Sequence, residues 1–552
     1  MARETFDYVI VGAGSAGCVL ANRLTEDGRH SVLLLEYGGS DRSLWIQMPT
    51  ALYIPMNMAR YDWRYYTEPE RHLNDRRVHT PRGKVLGGSS SINGLVYVRG
   101  NPLDFERWEE EGAAGWGYHD VLPYFKRAER RAVGGDEYRG ADGPLETRRG
   151  LLTNPLNATW LEAGRQAGYT HTADMNGFRQ EGFGEMDMTV GGGRRCSAAN
   201  AYLRPAMRRG NLSVRTHALA TRVLFERRRA VGVRYERGGS HEVRARREVI
   251  LSAGSINTPQ LLKLSGVGPA RELAGCGIEV LHELPGVGGN LQDHLEFYFQ
   301  VACREPVTLY SEMSMLRRAL IGVRWILTKD GLGASNHFET GGFIRSRAGM
   351  RYPDVQFHFL PLAVNYDGSA LAREHGFQAH VGPMRSRSVG WVRLRSAEAR
   401  EPPRISFNYM SRPEDWEEMR ACVRLTREIF AQPAFDRYRG REMQPGESVV
   451  SDEQIDAFIR AKAESAFHPC GTCRMGNPGD PQAVVDPETR VIGLEALRVV
   501  DSSIMPSITT GNLNAPTIML AEKAADHIRG RPLLPRASAP YYTASRWEST
   551  QR

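Results

Sequence analysis

The chain has 552 residues, 41% hydrophobic and 25% charged, with all residue types mixed along its length; this excludes a single small module, a disordered polymer and a fibrous protein. The formal net charge is +8, which allows weak attraction to an anionic surface, but no basic and aromatic interleaving marks a nucleic-acid groove. Seven cysteines, an odd count, fit reduced thiols better than a disulfide framework.

Phe6-Asp7-Tyr8-Val9-Ile10-Val11 reads as a buried strand, entered so early that no signal or transit peptide is expected and the cytosol is the expected compartment. Gly12-Ala13-Gly14-Ser15-Ala16-Gly17 follows directly and opens the helical run Cys18 to Leu24. In such a turn Gly12 permits the tight bend, and Gly14, with Ser15 and Ala16, lets a pyrophosphate approach the helix N-terminus. Gly17 lets helix and strand pack closely. A second strand, Ser31 to Leu35, ends in Glu36, at the spacing of an acid that binds ribose hydroxyls. Strand, glycine turn, helix, strand and acid together point to a dinucleotide and an α/β fold, without separating FAD from NAD.

A second glycine-rich loop at Gly87-Gly88 lets the chain pass against a cofactor without side-chain bulk, with Ser89, Ser90 and Asn93 as hydrogen-bonding groups. The most apolar stretch, Ala319 to Leu327, is short and broken by Arg324, so the protein is expected to be soluble or at most peripheral. Trp391 to Arg395 alternates like a strand with one wet face. Trp416, Met419, Val423 and Phe430 fall at helical intervals within Pro413–Phe430. Cys470 and Cys473 form a Cys-x-x-Cys, but no second pair completes a metal site, and both are read as small packing residues. Pro516 suits a first helical position, and a helix is expected to run through Ile528 to Gly530. Arg531–Arg552, with three prolines, reads as a surface or disordered tail.

Four segments carry a resemblance: Gly83 to Gly94, Gly254 to Gly268, Phe467 to Gly476 and Thr510 to Thr517. In that order they resemble the signature segments of the glucose–methanol–choline oxidoreductases. The resemblance implies FAD, held in a Rossmann-like domain of discontinuous pieces, 1–150, 195–300 and 466–535. A substrate domain on an antiparallel sheet is implied over 151–194 and 301–465, with a tail at 536–552. His468 and Asn514 are implied as the pair that activates an alcohol, beside the positive end of the last helix, and Val223, Asp501 and Asn512 as further cofactor contacts. Some relatives carry a flavin-bonding histidine where this chain has Ile92, so dissociable FAD is expected. Glu36-Tyr37-Gly38-Gly39 departs from the usual Glu-Ala-Gly-Gly but keeps the acid.

Gly333 to Ser346, Gln356 to Pro361 and Glu374 to Gln378 read like the choline-oxidising branch of that family. This implies choline as substrate, betaine aldehyde as product and onward oxidation to glycine betaine. It also implies Glu339 against the trimethylammonium and His358 near the substrate oxygen. A membrane quinone of the respiratory chain is the implied electron acceptor, met at the inner face of the bacterial membrane. The alternatives are a related alcohol dehydrogenase or oxidase acting on a neutral alcohol, and a lyase that keeps flavin only as scaffold.

Overall fold

The computed structural model describes residues 4–365 and 374–552. Its first sheet has seven strands. Six run in the order Leu212–Arg215, Val32–Leu35, Thr5–Val11, Ser240–Leu251, Arg229–Glu236 and Leu219–Glu226, and Leu497–Val499 pairs with the end of Ser240–Leu251. The pairings around Thr5–Val11 and Val32–Leu35 are parallel, whereas Ser240–Leu251 begins as an antiparallel hairpin partner of Arg229–Glu236. Val9, Ile10 and Leu33 to Leu35 are buried, the unbroken apolar pattern of strands covered on both faces.

Helices Ser15–Thr25 and Asn514–Arg529 pack together beside this sheet. The latter buries nearly its whole length and stops at Gly530, whose φ of 60° is the left-handed cap that glycine takes most easily. Gly17 sits where a Cβ would come within 1.9 Å of the Gly12 carbonyl oxygen, so helix and strand approach as the sequence spacing predicts.

The second sheet is antiparallel, in the order Arg439–Gln444, Leu295–Cys303, Gly376–Pro383, Val355–Leu360, Thr340–Ile344 and Gly182–Glu185, with Glu464–Ser465 paired to the start of Leu295–Cys303. Helices Pro413–Phe430 and Pro155–Gln166 cover it, and Met419, Val423, Phe430 and Trp160 join Phe357, Phe359 and Phe377 in one core. The expected amphipathic helix and its buried stripe are therefore present. The expected strand at Trp391 is shorter, Trp391–Arg393, paired with Arg404–Ser406.

Residues 531–544 form no regular element but pack against the first core, where Ala539 is buried. Leu534 and Ala537 donate backbone N–H groups to Tyr124 Oη and the His119 carbonyl, and Tyr542 donates to the Phe178 carbonyl. Among the described residues all seven cysteines are unpaired, and Cys470 and Cys473 are fully buried in the core beside the first sheet. No helix among the described residues is long and apolar enough to cross a membrane.

Candidate active site

A long cleft runs between the two sheets. One end is lined by Gly12, Gly14, Ser15, Ala16, Glu36 and the segment Ala218 to Ala220. Glu36 accepts backbone N–H bonds from Ala13 (2.9 Å) and Gly38 (2.7 Å), and burial pushes its carboxyl up to about 7. Gly88 (φ 53°) meets the first glycine loop so closely that a Cβ would stand 2.7 Å from Gly14 Cα. Gly87 donates its N–H to the Ala13 carbonyl (2.7 Å) and locks the two loops. Ser89 and Asn93 line the middle of the cleft, and Arg195 anchors Asn93 through its side-chain oxygen at 2.7 Å. Asp501 accepts from the Gly254 N–H and Thr258 Oγ1, fixing the start of helix Gly254–Leu264 on the cleft wall.

The other end is lined by Glu296, Phe338, His358, His380, His468 and Asn512. His468 arrives on the irregular segment after Glu464–Ser465, where its backbone N–H is held by Asp293 Oδ1 at 2.6 Å. Its Nδ1 lies 3.0 Å from His294 Nδ1 and its Nε2 3.1 Å from Asn512 Nδ2. His294 Nε2 lies 2.9 Å from the Met384 carbonyl, which can only accept, so that nitrogen carries the proton. His294 Nδ1 is then an acceptor, His468 Nδ1 the donor, and His468 Nε2 is left with its lone pair toward Asn512. Burial holds His294 and His358 down at about 4, and burial with the neighbouring imidazoles holds His468 well below its ordinary value. All three are neutral at pH 7.

Asn512 Oδ1 is 3.3 Å from Gln356 Nε2 and from His358 Nε2, so this amide bridges the two histidines. Asn514 stands one helical step away, accepting from Ser15 Oγ at 2.8 Å, and so ties the last helix to the first glycine loop. Glu296 Oε1 lies 3.3 Å from His380 Nδ1, and the Phe338 ring meets both His358 and His380 edge to face.

Two of the residues expected at the site stand outside the cleft lining. Glu339 does not line the cleft: Ser335 Oγ, the Leu152 N–H and Asn157 Nδ2 bind its carboxylate on the wall of a separate cavity. A side chain this well bonded is holding the loop 150–152 in place. Val223 lies inside the strand Leu219–Glu226 with its N–H given to Ser265 Oγ, and the cleft is reached by Ala218 to Ala220 instead. Missed from the sequence were Glu296, His294, His380 and Phe338. A signal was available for the first: Asp293-His294-Leu295-Glu296 puts three titratable groups at the mouth of an apolar strand, where each must find a partner.

The amino- and carboxyl-terminal patterns of the GMC oxidoreductases match residues 6–296 and 386–521. The chain belongs to the GMC oxidoreductase family. It is 58% identical over 547 residues, 99% of its length and all of the relative's, to an oxygen-dependent choline dehydrogenase of Brucella ovis. A protein of the same description from Rhizobium etli is 59% identical over 533 residues, 96% of this chain and 97% of the relative. Among solved structures, pyridoxine 4-oxidase from Mesorbium loti superposes with a TM-score of 0.87 at 31% identity, covering 95% of this chain and 99% of that one. An FAD-dependent oxidoreductase from Chaetomium thermophilum gives 0.86 at 28%, with coverage of 95% and 99%.

The cofactor of this GMC enzyme is FAD, and the cleft fits it. Two glycine loops meet at Gly14 and Gly88, the buried carboxyl of Glu36 lies on the same wall, and Ser252 Oγ there has no partner among the described residues. Ile92 lines the cleft and offers no nucleophile. The start of helix Asn514–Arg529 also faces the cleft, bringing a partial positive charge to it.

Proposed function

We propose that this chain oxidises choline to betaine aldehyde, with His468 and Asn512 handling the hydroxyl and Glu296 the trimethylammonium. The observation that carries this reading is one carboxylate grouped with neutral imidazoles and a phenyl ring at the end of the cleft opposite the ribose acid. A quaternary ammonium donates no hydrogen bond, so it is held by negative charge and aromatic faces. Glu296 and Phe338 supply both. The names of the Brucella and Rhizobium relatives support the same substrate.

His468 Nε2, with its lone pair directed by the His294 relay, accepts the hydroxyl proton. The Asn512 amide, pinned by Gln356, keeps the substrate oxygen beside that nitrogen, and His358 closes the same side. In this reading Asn512 takes the role expected of Asn514, which instead fastens the helix end to Ser15. Bound FAD supplies the two-electron oxidant for the alcohol carbon. The hydrated aldehyde presents the same hydroxyl on the same carbon, so onward oxidation to glycine betaine uses the same groups.

For the electrons we propose a membrane quinone rather than oxygen. Because the relatives are described as oxygen-dependent, peroxide is the product to measure: one hydrogen peroxide per choline overturns the quinone. The substrate is tested by anaerobic flavin bleaching with choline and with its neutral isostere 3,3-dimethylbutan-1-ol. Choline is expected to bleach at far lower concentration, and equal potency overturns the ammonium site.

A further inference from the structure

The helix Met315–Thr328 is turned inside out. Ser314 caps its start and Lys329, in the left-handed region at φ 57°, ends it, yet Trp325 is its only buried residue. The Trp325 indole donates to the Gly193 carbonyl at 2.7 Å, and its ring packs with Met48, Ala51 and Ala334. At 3.6 residues per turn, Met315, Leu316, Leu320, Val323, Ile326 and Leu327 fall on one arc of about 140° on the side away from Trp325. All six are between 49% and 89% exposed. A globular helix ordinarily turns such an arc to the core.

No acidic residue lies between Met315 and Thr328, while Arg317 and Arg324 border the arc on one edge and Arg318 the other. Arg318 is braced by Tyr53 Oη at 2.6 Å, and Arg324 by Asp330 at 2.8 Å. We propose that this helix docks the enzyme on an anionic lipid bilayer, its apolar arc entering the acyl boundary and its arginines meeting lipid phosphates.

Two arguments favour a bilayer over a second copy of the chain. A 14-residue helix is about 21 Å long and about 10 Å wide. The face is then roughly 200 Å², well short of the ~800 Å² per partner of a stable dimer. A two-fold contact would also set like-charged arginine rows together, whereas lipid phosphates take them.

The docking helix is also joined to the cleft. Trp325 rests on Met48 and Ala51, and the next residues of that segment, Leu52 and Met56, line the cleft wall. Docking thus sets that wall toward the lipid, where an apolar electron acceptor dissolves. The inference supplies a partner for the acceptor reading but does not rest on the substrate, and lipid binding is read without turnover, so either can fail alone.

The test is co-sedimentation of the full-length, FAD-loaded protein with vesicles of phosphatidylcholine alone or mixed with phosphatidylglycerol. Binding is expected to the anionic vesicles, weakened by high salt and lost by about tenfold or more in Leu320→Glu/Leu327→Glu. That variant is expected to retain wild-type choline turnover with a soluble dye, which shows that it folds. Failure of the wild type to bind either vesicle, or equal binding by the variant, overturns the proposal. So does a dimer that the same substitutions dissociate without any vesicle binding.

Discussion

His294 and His468 face each other nitrogen to nitrogen, Nδ1 to Nδ1 at 3.0 Å, and the Met384 carbonyl behind His294 decides which of them donates. The proton order of the site is therefore set by a backbone group outside it. His294→Phe removes the acceptor that fixes the His468 tautomer, so kcat for choline is expected to fall about 10- to 100-fold with KM nearly unchanged. His294→Asn, which can still accept, should recover part of the loss. An unchanged kcat with a raised KM would show that His294 serves packing or binding instead.

Glu296→Gln removes the charge proposed to face the ammonium. KM for choline is expected to rise about 100-fold, near 2.7 kcal/mol, while 3,3-dimethylbutan-1-ol is oxidised as before. Glu339→Gln should leave that ratio of substrates alone and lower the melting temperature, since its carboxylate holds the loop 150–152. Steady-state kinetics on both substrates separate the two carboxylates.

Gly88→Ala places a Cβ 2.7 Å from Gly14 Cα at a φ of 53°. The apoprotein is expected to fold, with near-wild-type circular dichroism, but to be purified with little flavin and to bind added FAD at least about tenfold more weakly. Full flavin content in this variant would remove the two-loop cradle from the argument.

FAD is expected to leave the protein on acid precipitation, colouring the supernatant, because Ile92 offers no atom for a covalent bond. A yellow pellet would require another residue as the attachment point.

The pH dependence of stability separates the buried histidines from the buried acids. His358 is held at about 4, below its unfolded value near 6.5, so the unfolded chain binds its proton first and stability falls as pH drops from about 6.5 to 4. Glu36 and Asp293, raised to about 7 and about 6, act oppositely: their contribution is full below the unfolded carboxylate values and is lost as pH rises through 6 and 7. Comparison with His358→Asn isolates the first effect. Between pH 6.5 and 5 the wild type should lose about 1.5 kcal/mol more than the variant in urea unfolding. Parallel losses would mean that His358 titrates normally.

Much of the nucleotide end was legible because its chemistry is local in the chain. A strand, three glycines and an acid some twenty residues on must lie together once the first βαβ unit forms, and Gly12, Gly14, Gly17 and Glu36 stand as that spacing implies. The last helix was legible for the same reason, through Gly530 at its end and Pro516 in its first turn, although it starts at Asn514, two residues before the proline expected to open it. The alcohol end is built by strands far apart in sequence, so which side chain faces the cleft depends on register. Glu339 and Glu296 are both buried acids beside an antiparallel strand, and only the pairing of the sheet turns Glu296 into the cleft and Glu339 out of it. Asn512 and Asn514, two residues apart, both line the cleft and part company by the same logic. One precedes the helix and reaches His468, while the other begins it and reaches Ser15.

That last contact has a consequence for synthesis. Ser15 emerges early, but its partner Asn514 follows 499 residues later. At about 5–20 residues per second, the glycine loop waits roughly 25–100 s for the helix that closes over it. Through that interval the first helix lacks the cover that Asn514–Arg529 provides, including Glu522, the partner of Arg23. Ribosome-bound chains halted before residue 514 should therefore hold chaperone and no flavin, and should release the first and gain the second only as the final helix arrives.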